Sequence, residues 1–181
     1  MDQSARTATV EVVVGEADGV IPDGTSVSVY ADVPAVRGLD RDLLKALRRA
    51  ARAAALHGIG LRINGGWRSP ARQLRLLENA IERLGSREEA ARWVATPETS
   101  AHVAGQAVDV GPVAAAAWLA EHGTRYGLCR VYRNEPWHFE LRPEAARYGN
   151  PPLYANPSED PRHRRGERHT AADTSAIAAD A

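Results

Sequence analysis

The chain contains 181 residues, with 23 basic and 23 acidic side chains, a formal net charge of zero and a pI near 7. This length suits one domain with an ordinary core, and the lack of a basic excess argues against a nucleic-acid partner. The single cysteine, Cys129, excludes an intrachain disulfide.

The sequence offers no sign of a membrane segment. No stretch approaches the ~20 apolar residues of a membrane span. The first residues lack the basic and apolar regions of a signal peptide. We therefore expect a cytoplasmic protein, or an exported one if a leader is missing from this sequence.

The N-terminal part of the chain predicts two strands and then a helix. Residues 9–14 and 26–31 alternate and are rich in Val, Thr and Ser, which is typical of a hairpin or an edge meander. Asp40 is a candidate N-cap for a helix whose apolar side chains recur at helical spacing to about Leu56.

The middle of the chain predicts short strands alternating with helices. Strands are expected at 61–64, 107–110, 126–132 and 137–141, and helices at 69–84, 86–94 and 112–122. We therefore expect an α+β fold with a small, mainly antiparallel sheet. One face of the sheet would carry the functional site, and the helices at 40–56, 69–84 and 112–122 would cover the other.

The composition changes after Arg142. Five prolines lie between positions 143 and 161, and small and charged residues dominate the rest. Such a segment buries too little apolar surface to order itself. We expect N-terminal strands over 1–37, as part of the domain or as an extension, a catalytic domain over 38–150, and a disordered tail over 151–181.

A histidine and an aspartate stand seven residues apart in the segment Ser100-Ala-His102-Val-Ala-Gly105-Gln-Ala-Val-Asp109. Asp109 lies between two valines on a predicted strand, where a buried carboxylate is costly unless something pairs with it. A metal ion would be such a partner, and an N-cap role or an arginine partner are the alternatives. For His102 the alternative is a surface loop position, and Ser100 is a candidate for hydrogen bonds to a substrate.

A second segment, Glu135-Pro-Trp-His138, adds a histidine and a free carboxylate. A catalytic zinc takes three protein ligands and keeps one position open for water, and a carboxylate that does not bind the metal serves as general base. A turn at Pro136 would have to bring Glu135 toward the metal, because residues before proline avoid the helical conformation. Glu140 is the rival base, or a partner for the histidine N–H. Trp137 is interpreted as a packing anchor.

A third segment, Gly66-Trp-Arg68-Ser69, follows a predicted strand. The guanidinium fork of Arg68 suits a carboxylate or a developing oxyanion. The chain is rich in arginine, so a solvated arginine is the alternative. Ser69 suits a helix N-cap better than a nucleophile, and Gln73 is a candidate for the pocket lining.

Taken together, these segments resemble the zinc D-alanyl-D-alanine carboxypeptidases and dipeptidases of the VanY and VanX type. The resemblance rests on the pattern Ser-x-His-x-x-Gly-x-Ala-x-Asp followed by Glu-x-Trp-His, and on the Gly-Trp-Arg-Ser motif with Gln73 four residues later. It covers roughly residues 40–142 and does not reach the C-terminal tail.

This resemblance implies a hedgehog/DD-peptidase-like fold and one zinc ion per chain, held by His102, Asp109 and His138. It also implies that Glu135, rather than Glu140, is the general base and that Arg68 binds the substrate. The substrate would be a peptidoglycan-type peptide ending in D-Ala-D-Ala, or the dipeptide itself. The terminal D-Ala would be released, an activity linked to the cell wall and to antibiotic resistance.

Two other functions stay open at this point. One is an L-alanyl-D-glutamate endopeptidase of endolysin type, which belongs to the same superfamily. The other is a zinc-containing domain that binds a cell-wall peptide without cleaving it. The presence of Glu135 argues against the second, and a requirement for a free substrate carboxylate would distinguish the first.

Overall fold

A five-stranded antiparallel sheet forms the centre of the computed structural model, which describes residues 13–163. The order of the strands is β1-β2-β3-β5-β4. Their bounds are β1 Val27–Ser28, β2 Arg62–Gly65, β3 Ala107–Gly111, β4 Leu128–Arg130 and β5 His138–Leu141. Together with the helices this confirms the predicted α+β class.

The alternation of side chains across the strands separates core from site. Ile63, Val108, Val110 and Phe139 are buried in the main hydrophobic cluster. The residues that alternate with them on β3 and β5 include the polar side chains of Asp109 and His138. Asp109 is paired in register with Gly65 of β2 on one side and with His138 of β5 on the other.

Six α-helices have both ends within residues 13–163, and residues 161–163 are also helical. The six are α1 Pro34–Arg37, α2 Arg41–Ala55, α3 Pro70–Leu84, α4 Arg87–Ala91, α5 Val113–His122 and α6 Ala145–Tyr148. The predicted N-caps Asp40 and Ser69 are confirmed, since each accepts a backbone N–H of the first turn of its helix, and Ser86 caps α4 in the same way. None of the helices in the described part of the chain is long and apolar enough to cross a membrane.

The helices do not all cover the sheet. The buried side chains of α2 and α5 belong to the main core, as expected. The apolar residues of α3 instead pack with Ala90 of α4 in a second, smaller cluster that includes Leu77 and Ala80. Apolar spacing shows which face of a helix is buried, but it does not show what that face packs against.

The predicted N-terminal hairpin is wrong where it can be compared with the structure. Residues 9–12 lie outside the described part of the chain, and residues 13 and 14 are not in a strand. The segment 26–31 contributes only Val27–Ser28, which pairs with β2. Arg62 of β2 fastens this short strand by donating to the side chain and the carbonyl of Ser26.

Ordered structure continues past the point where composition predicted a disordered tail. Tyr154 forms a parallel bridge to Tyr132, and a 3-10 turn follows at Pro157–Glu159. Asp160 is fully buried. A few specific contacts order this segment despite its proline-rich composition, whereas residues beyond 163 lie outside the described range.

Candidate metal centre and substrate cleft

The register of three strands assembles the centre of the site. Gly65 lies opposite Asp109 on β2, and His138 lies opposite Asp109 on β5. Gly65 has no side chain, and a Cβ at this position would overlap Oδ2 of Asp109. The sheet therefore leaves space for the carboxylate beside its histidine neighbour.

His102 reaches the same point from the loop that precedes β3. Gly105 turns this loop with a φ of +71°, and its carbonyl accepts the backbone N–H of Asp40 at the start of α2. The carbonyl of His102 accepts the backbone N–H of Arg68 at 3.3 Å. These contacts fix the loop at both ends, and His102 is buried.

Three ligand atoms form a nearly equilateral triangle. Nε2 of His102 lies 3.2 Å from Nδ1 of His138, and these atoms lie 3.4 and 3.5 Å, respectively, from Oδ1 of Asp109. A tetrahedral zinc ion with ligand distances of ~2.0–2.1 Å separates its ligands by about 3.3–3.4 Å. The donor set and its spacing therefore fit such an ion, and these three residues are a group that could hold a metal.

The outer nitrogens of both histidines have acceptors that fix the tautomer. Nδ1 of His102 donates to the carbonyl of Gly66 at 2.9 Å, because a carbonyl can only accept. Nε2 of His138 donates to Oε1 of Glu140 at 3.3 Å. In the neutral ring that binds a metal, the remaining nitrogen therefore directs its lone pair to the triangle, as in metal sites whose ligands are oriented by outer hydrogen bonds. Without a metal, burial would lower the pKa of His138, but Asp109 and Glu140 raise this pKa to about 9, so a metal would displace a proton from this ring.

The charges of the metal-free centre follow from these contacts. Burial alone would raise the pKa of Asp109, but His102, His138 and Arg68 hold it well below its usual range. Burial likewise opposes ionisation of Glu140, yet His138 and Arg162 lower its pKa. Both carboxylates are therefore anionic.

Glu135 lies beside the triangle without belonging to it. Its Oε2 is 3.6 Å from Nδ1 of His138. A turn over Pro136 and Trp137 brings Glu135 to this position, and the hydrogen bond from the His138 N–H to the Glu135 carbonyl closes the turn. Burial raises the pKa of Glu135 to about 7. This carboxyl group can therefore exchange a proton near neutral pH, as a general base requires.

Arg68 contacts the same centre from the end of β2. Its Nη2 donates to Oδ2 of Asp109 at 2.8 Å, and its Nη1 donates to Oε1 of Gln73 at 3.2 Å. Its Nε is buried and has no hydrogen-bond partner among residues 13–163. The Arg68 side chain is one of those that line the cleft.

The cleft has a volume of about 220 Å³ and contains all of the predicted site residues. Gln73 and Ser100 are buried in its wall, where the Gln73 amide donates to the Ala95 carbonyl. The interpretation of Trp137 as a packing anchor is wrong. This side chain lines the cleft and is 42% exposed, because the turn at Pro136 directs it outward.

Sequence reasoning missed several residues of the cleft wall, namely Trp93, Tyr132, Pro157 and His163. They come from distant parts of the chain and form no local motif. The ring of Tyr132 lies 5.0 Å from that of His138.

A family model described as D-alanyl-D-alanine carboxypeptidase (VanY) matches residues 37–144. The chain belongs to this family. The matched span begins in α1 and ends just after β5, and it contains Arg68, the metal-ligand triangle and Glu135. The family predicted from the motifs is thereby confirmed.

One curated relative agrees with this assignment. A D-alanyl-D-alanine carboxypeptidase of Enterococcus faecalis is 29% identical over 121 residues, which are 53% of this chain and 44% of the relative. The chain thus spans less than half of the length of that curated protein.

Solved structures of similar proteins share the fold. A mutant of the vancomycin resistance D,D-pentapeptidase VanY, in complex with Zn(II), is 26% identical with a TM-score of 0.55, covering 60% of this chain and 75% of that one. The LdcB LD-carboxypeptidase has a TM-score of 0.56 at 24% identity, covering 71% and 70% of the two chains, and shows likeness of fold alone.

Proposed function

We propose that the protein is a zinc-dependent D,D-carboxypeptidase that releases the terminal D-Ala from peptides ending in D-Ala-D-Ala. One observation carries the proposal: His102, Asp109 and His138 direct three ligand atoms to one point, and Glu135 lies beside them in the same cleft. Membership of the VanY family and the zinc complex of a VanY relative support it.

Zinc at this triangle would supply a Lewis acid that polarises a carbonyl and lowers the pKa of a water molecule. His102, Asp109 and His138 would hold it, one ion per chain. Glu135 would accept the proton of the attacking water and later pass it to the leaving amine. Its buried carboxyl group, with a pKa near neutrality, suits both transfers.

Arg68 would bind the substrate. Its side chain lines the cleft, and a guanidinium held in a fixed plane suits an oxygen of the terminal carboxylate or of the scissile carbonyl. The contacts of its Nη nitrogens with Asp109 and Gln73 hold that plane in place. Ser100 and Gln73 would shape the adjacent wall of the cleft.

The two other functions have less support. A binding domain without catalysis has no need of a buried carboxyl group 3.6 Å from a metal ligand, yet Glu135 occupies that position. An endopeptidase of endolysin type would not require a free carboxylate on its substrate. The family model and the curated relative instead both carry the description D-alanyl-D-alanine carboxypeptidase.

Product analysis tests the proposal. The purified protein is incubated with D-Ala-D-Ala and, separately, with a muramyl pentapeptide, after chelation and after zinc is restored. We expect free D-Ala only when zinc is present, and the faster substrate identifies dipeptidase or pentapeptidase activity. The Glu135→Gln variant, which keeps the three ligands, is the control for contaminating peptidases. Cleavage between L-Ala and D-Glu would instead identify the endopeptidase.

A further inference from the structure

Beyond the span matched by the family, the chain returns to the metal centre. We call residues 154–163 the closing segment. Tyr154 attaches it to the domain, since its N–H donates to the Val131 carbonyl and its own carbonyl accepts the Arg133 N–H. Pro157 and His163 of the segment line the same cleft as the metal-ligand triangle.

The carboxylate of Glu140 links this segment to a metal ligand. Its side chain is 1% exposed, and Oε1 accepts the Nε2–H of His138 at 3.3 Å. A buried carboxylate is stable only when cations and donors surround it. Glu140 therefore depends on its cationic partners to remain an anionic acceptor for His138.

Arg162 is a bidentate cationic partner of Glu140. Its Nη1 donates to Oε2 of Glu140 at 2.7 Å and its Nη2 donates to Oε1 at 3.0 Å. Arg142 also contacts this carboxylate, with its Nη2 2.8 Å from Oε2. A paired guanidinium contact fixes the orientation of the carboxylate as well as its charge.

The position of Arg162 is itself fixed by a second buried carboxylate, that of Asp160. Asp160 is fully buried and accepts from Nε of Arg162 at 2.9 Å and from the hydroxyl of Tyr132 at 3.1 Å. The Arg162 side chain is 40% exposed, but its donors are directed inward to two buried carboxylates. This is a built arrangement rather than an arginine free to move on the surface.

We propose that Arg162 is a positioning residue for the metal centre, acting through Glu140 on His138. By orienting Glu140, it holds the His138 ring in the tautomer and angle that direct Nδ1 to the triangle. The inference rests on the proposed zinc site. It also extends the functional unit to residue 163, beyond the end of the family match at residue 144.

The test measures zinc affinity in the full chain by competition with a chromophoric chelator. The variants are Arg162→Gln and Arg162→Lys, and the matched control is Arg147→Gln, since Arg147 stacks over exposed Tyr148. Loss of an outer partner of a metal ligand weakens metal binding by about 10–100-fold. Glu140 is that partner, so about 10–100-fold is the loss expected for Glu140→Gln and the upper limit for Arg162→Gln. We expect a clear loss for Arg162→Gln, a smaller loss for Arg162→Lys and no change for the control.

A second comparison separates positioning from a general loss of stability. In Glu140→Gln the residue through which Arg162 acts has lost its charge, so adding Arg162→Gln should change zinc affinity by less than about twofold. A full additional loss in this background would overturn the proposal. So would unchanged zinc affinity in Arg162→Gln accompanied by a lower melting temperature, because that describes a purely structural contact.

Failure of this inference and failure of the proposed function give different results. If the parent binds zinc and Arg162→Gln binds it equally well, only the inference fails. If the parent binds zinc and the variants weaken it, but D-Ala is not released, only the proposed activity fails. Absence of zinc binding by the parent overturns both. If Arg162→Gln does not fold, Arg162→Lys and Asp160→Asn are measured instead, and unchanged zinc affinity in both overturns the inference.

Discussion

Arg68 and Asp109 form an ion pair of 2.8 Å, and the two carboxylate oxygens of the aspartate have different partners. Oδ2 faces Arg68, whereas Oδ1 faces both histidines. The arginine therefore orients the carboxylate of a proposed metal ligand, and its side chain also lines the cleft. Under the proposed function, changes at Arg68 should affect both zinc binding and substrate binding.

Each residue of the triangle should be needed for zinc binding. We expect one zinc per chain in the parent and loss of most zinc affinity in His102→Ala, Asp109→Ala and His138→Ala, because a three-ligand site does not survive removal of one donor. His122→Ala is the matched control, since this histidine lies at the end of α5 against Trp118. Metal analysis after dialysis is the measurement, and full occupancy in all three variants would refute the assignment.

Glu135→Gln should keep zinc and lose turnover. The amide cannot accept the proton, and general-base catalysis typically contributes ~10²–10⁴-fold to the rate. Glu121→Gln, at a side chain that is 77% exposed, is the control. Zinc content and kcat are measured together. Activity near that of the parent in Glu135→Gln would transfer the base role to another group.

The same residue should make the stability of the metal-free protein depend on pH. Burial raises the pKa of Glu135 from 4.5 to about 7, so the folded state binds this proton more tightly than the unfolded state does. That stabilisation is complete below the unfolded pKa and is lost as pH rises through 7. The amide side chain in Glu135→Gln does not titrate. The unfolding free energy of Glu135→Gln minus that of the parent should therefore increase by about 3 kcal/mol from about pH 4 to about pH 8.

Urea unfolding of both metal-free proteins across this pH range is the measurement. The difference between them is used because the other titrating groups, His138 among them, are common to both. A constant difference would mean that Glu135 is not held in a raised-pKa environment.

Arg68 should bind the negatively charged terminal carboxylate of the substrate. Arg68→Lys keeps the charge but loses the planar fork, so most of kcat/KM should be lost at saturating zinc. Amidation of the substrate carboxylate should slow the parent much more than it slows Arg68→Ala, since the coupling between the two groups is then already absent. If the parent cleaves amide and free acid equally fast, Arg68 does not bind that carboxylate.

Gly65 should not tolerate a side chain. A Cβ there would overlap Oδ2 of Asp109 and approach the Arg68 guanidinium, so Gly65→Ala should weaken zinc binding and reduce activity. Gly60→Ala is a matched control, because a Cβ at Gly60 has open space around it. Equal zinc affinity in the two variants would show that Asp109 can move without consequence.

The residues that chemistry predicted lie in short motifs. His102, Asp109 and His138 are candidates because each motif places an unusual polar group beside a strand or a turn, whereas Glu135 is preferred to Glu140 as the base because of the family resemblance. Glu140 was recognised as a possible partner for a histidine N–H, and the structure places it on His138. The catalytic and substrate-binding roles of these groups stay predictions.

The errors have a common physical origin. Composition averaged over residues 151–181 predicted disorder, yet ordering residues up to 163 depends on a few individual pairs such as Arg162 with Glu140. The average composition of a segment contains no information on such a pair, in which a buried carboxylate elsewhere in the chain requires a cation from the segment. The exposure of Trp137 and the packing of α3 on α4 likewise depend on contacts distant in sequence.

The closing segment has a practical consequence for anyone producing the protein. A recombinant fragment cut at the family boundary near residue 144 would retain the three proposed zinc ligands and the proposed base. It would keep Arg142 but lose Arg162, the other guanidinium that contacts Glu140, together with Pro157 and His163 of the cleft wall. Assays on such a fragment should underestimate the proposed zinc affinity and activity, and a sequence search limited to the family boundary would omit Arg162 and its partner Asp160.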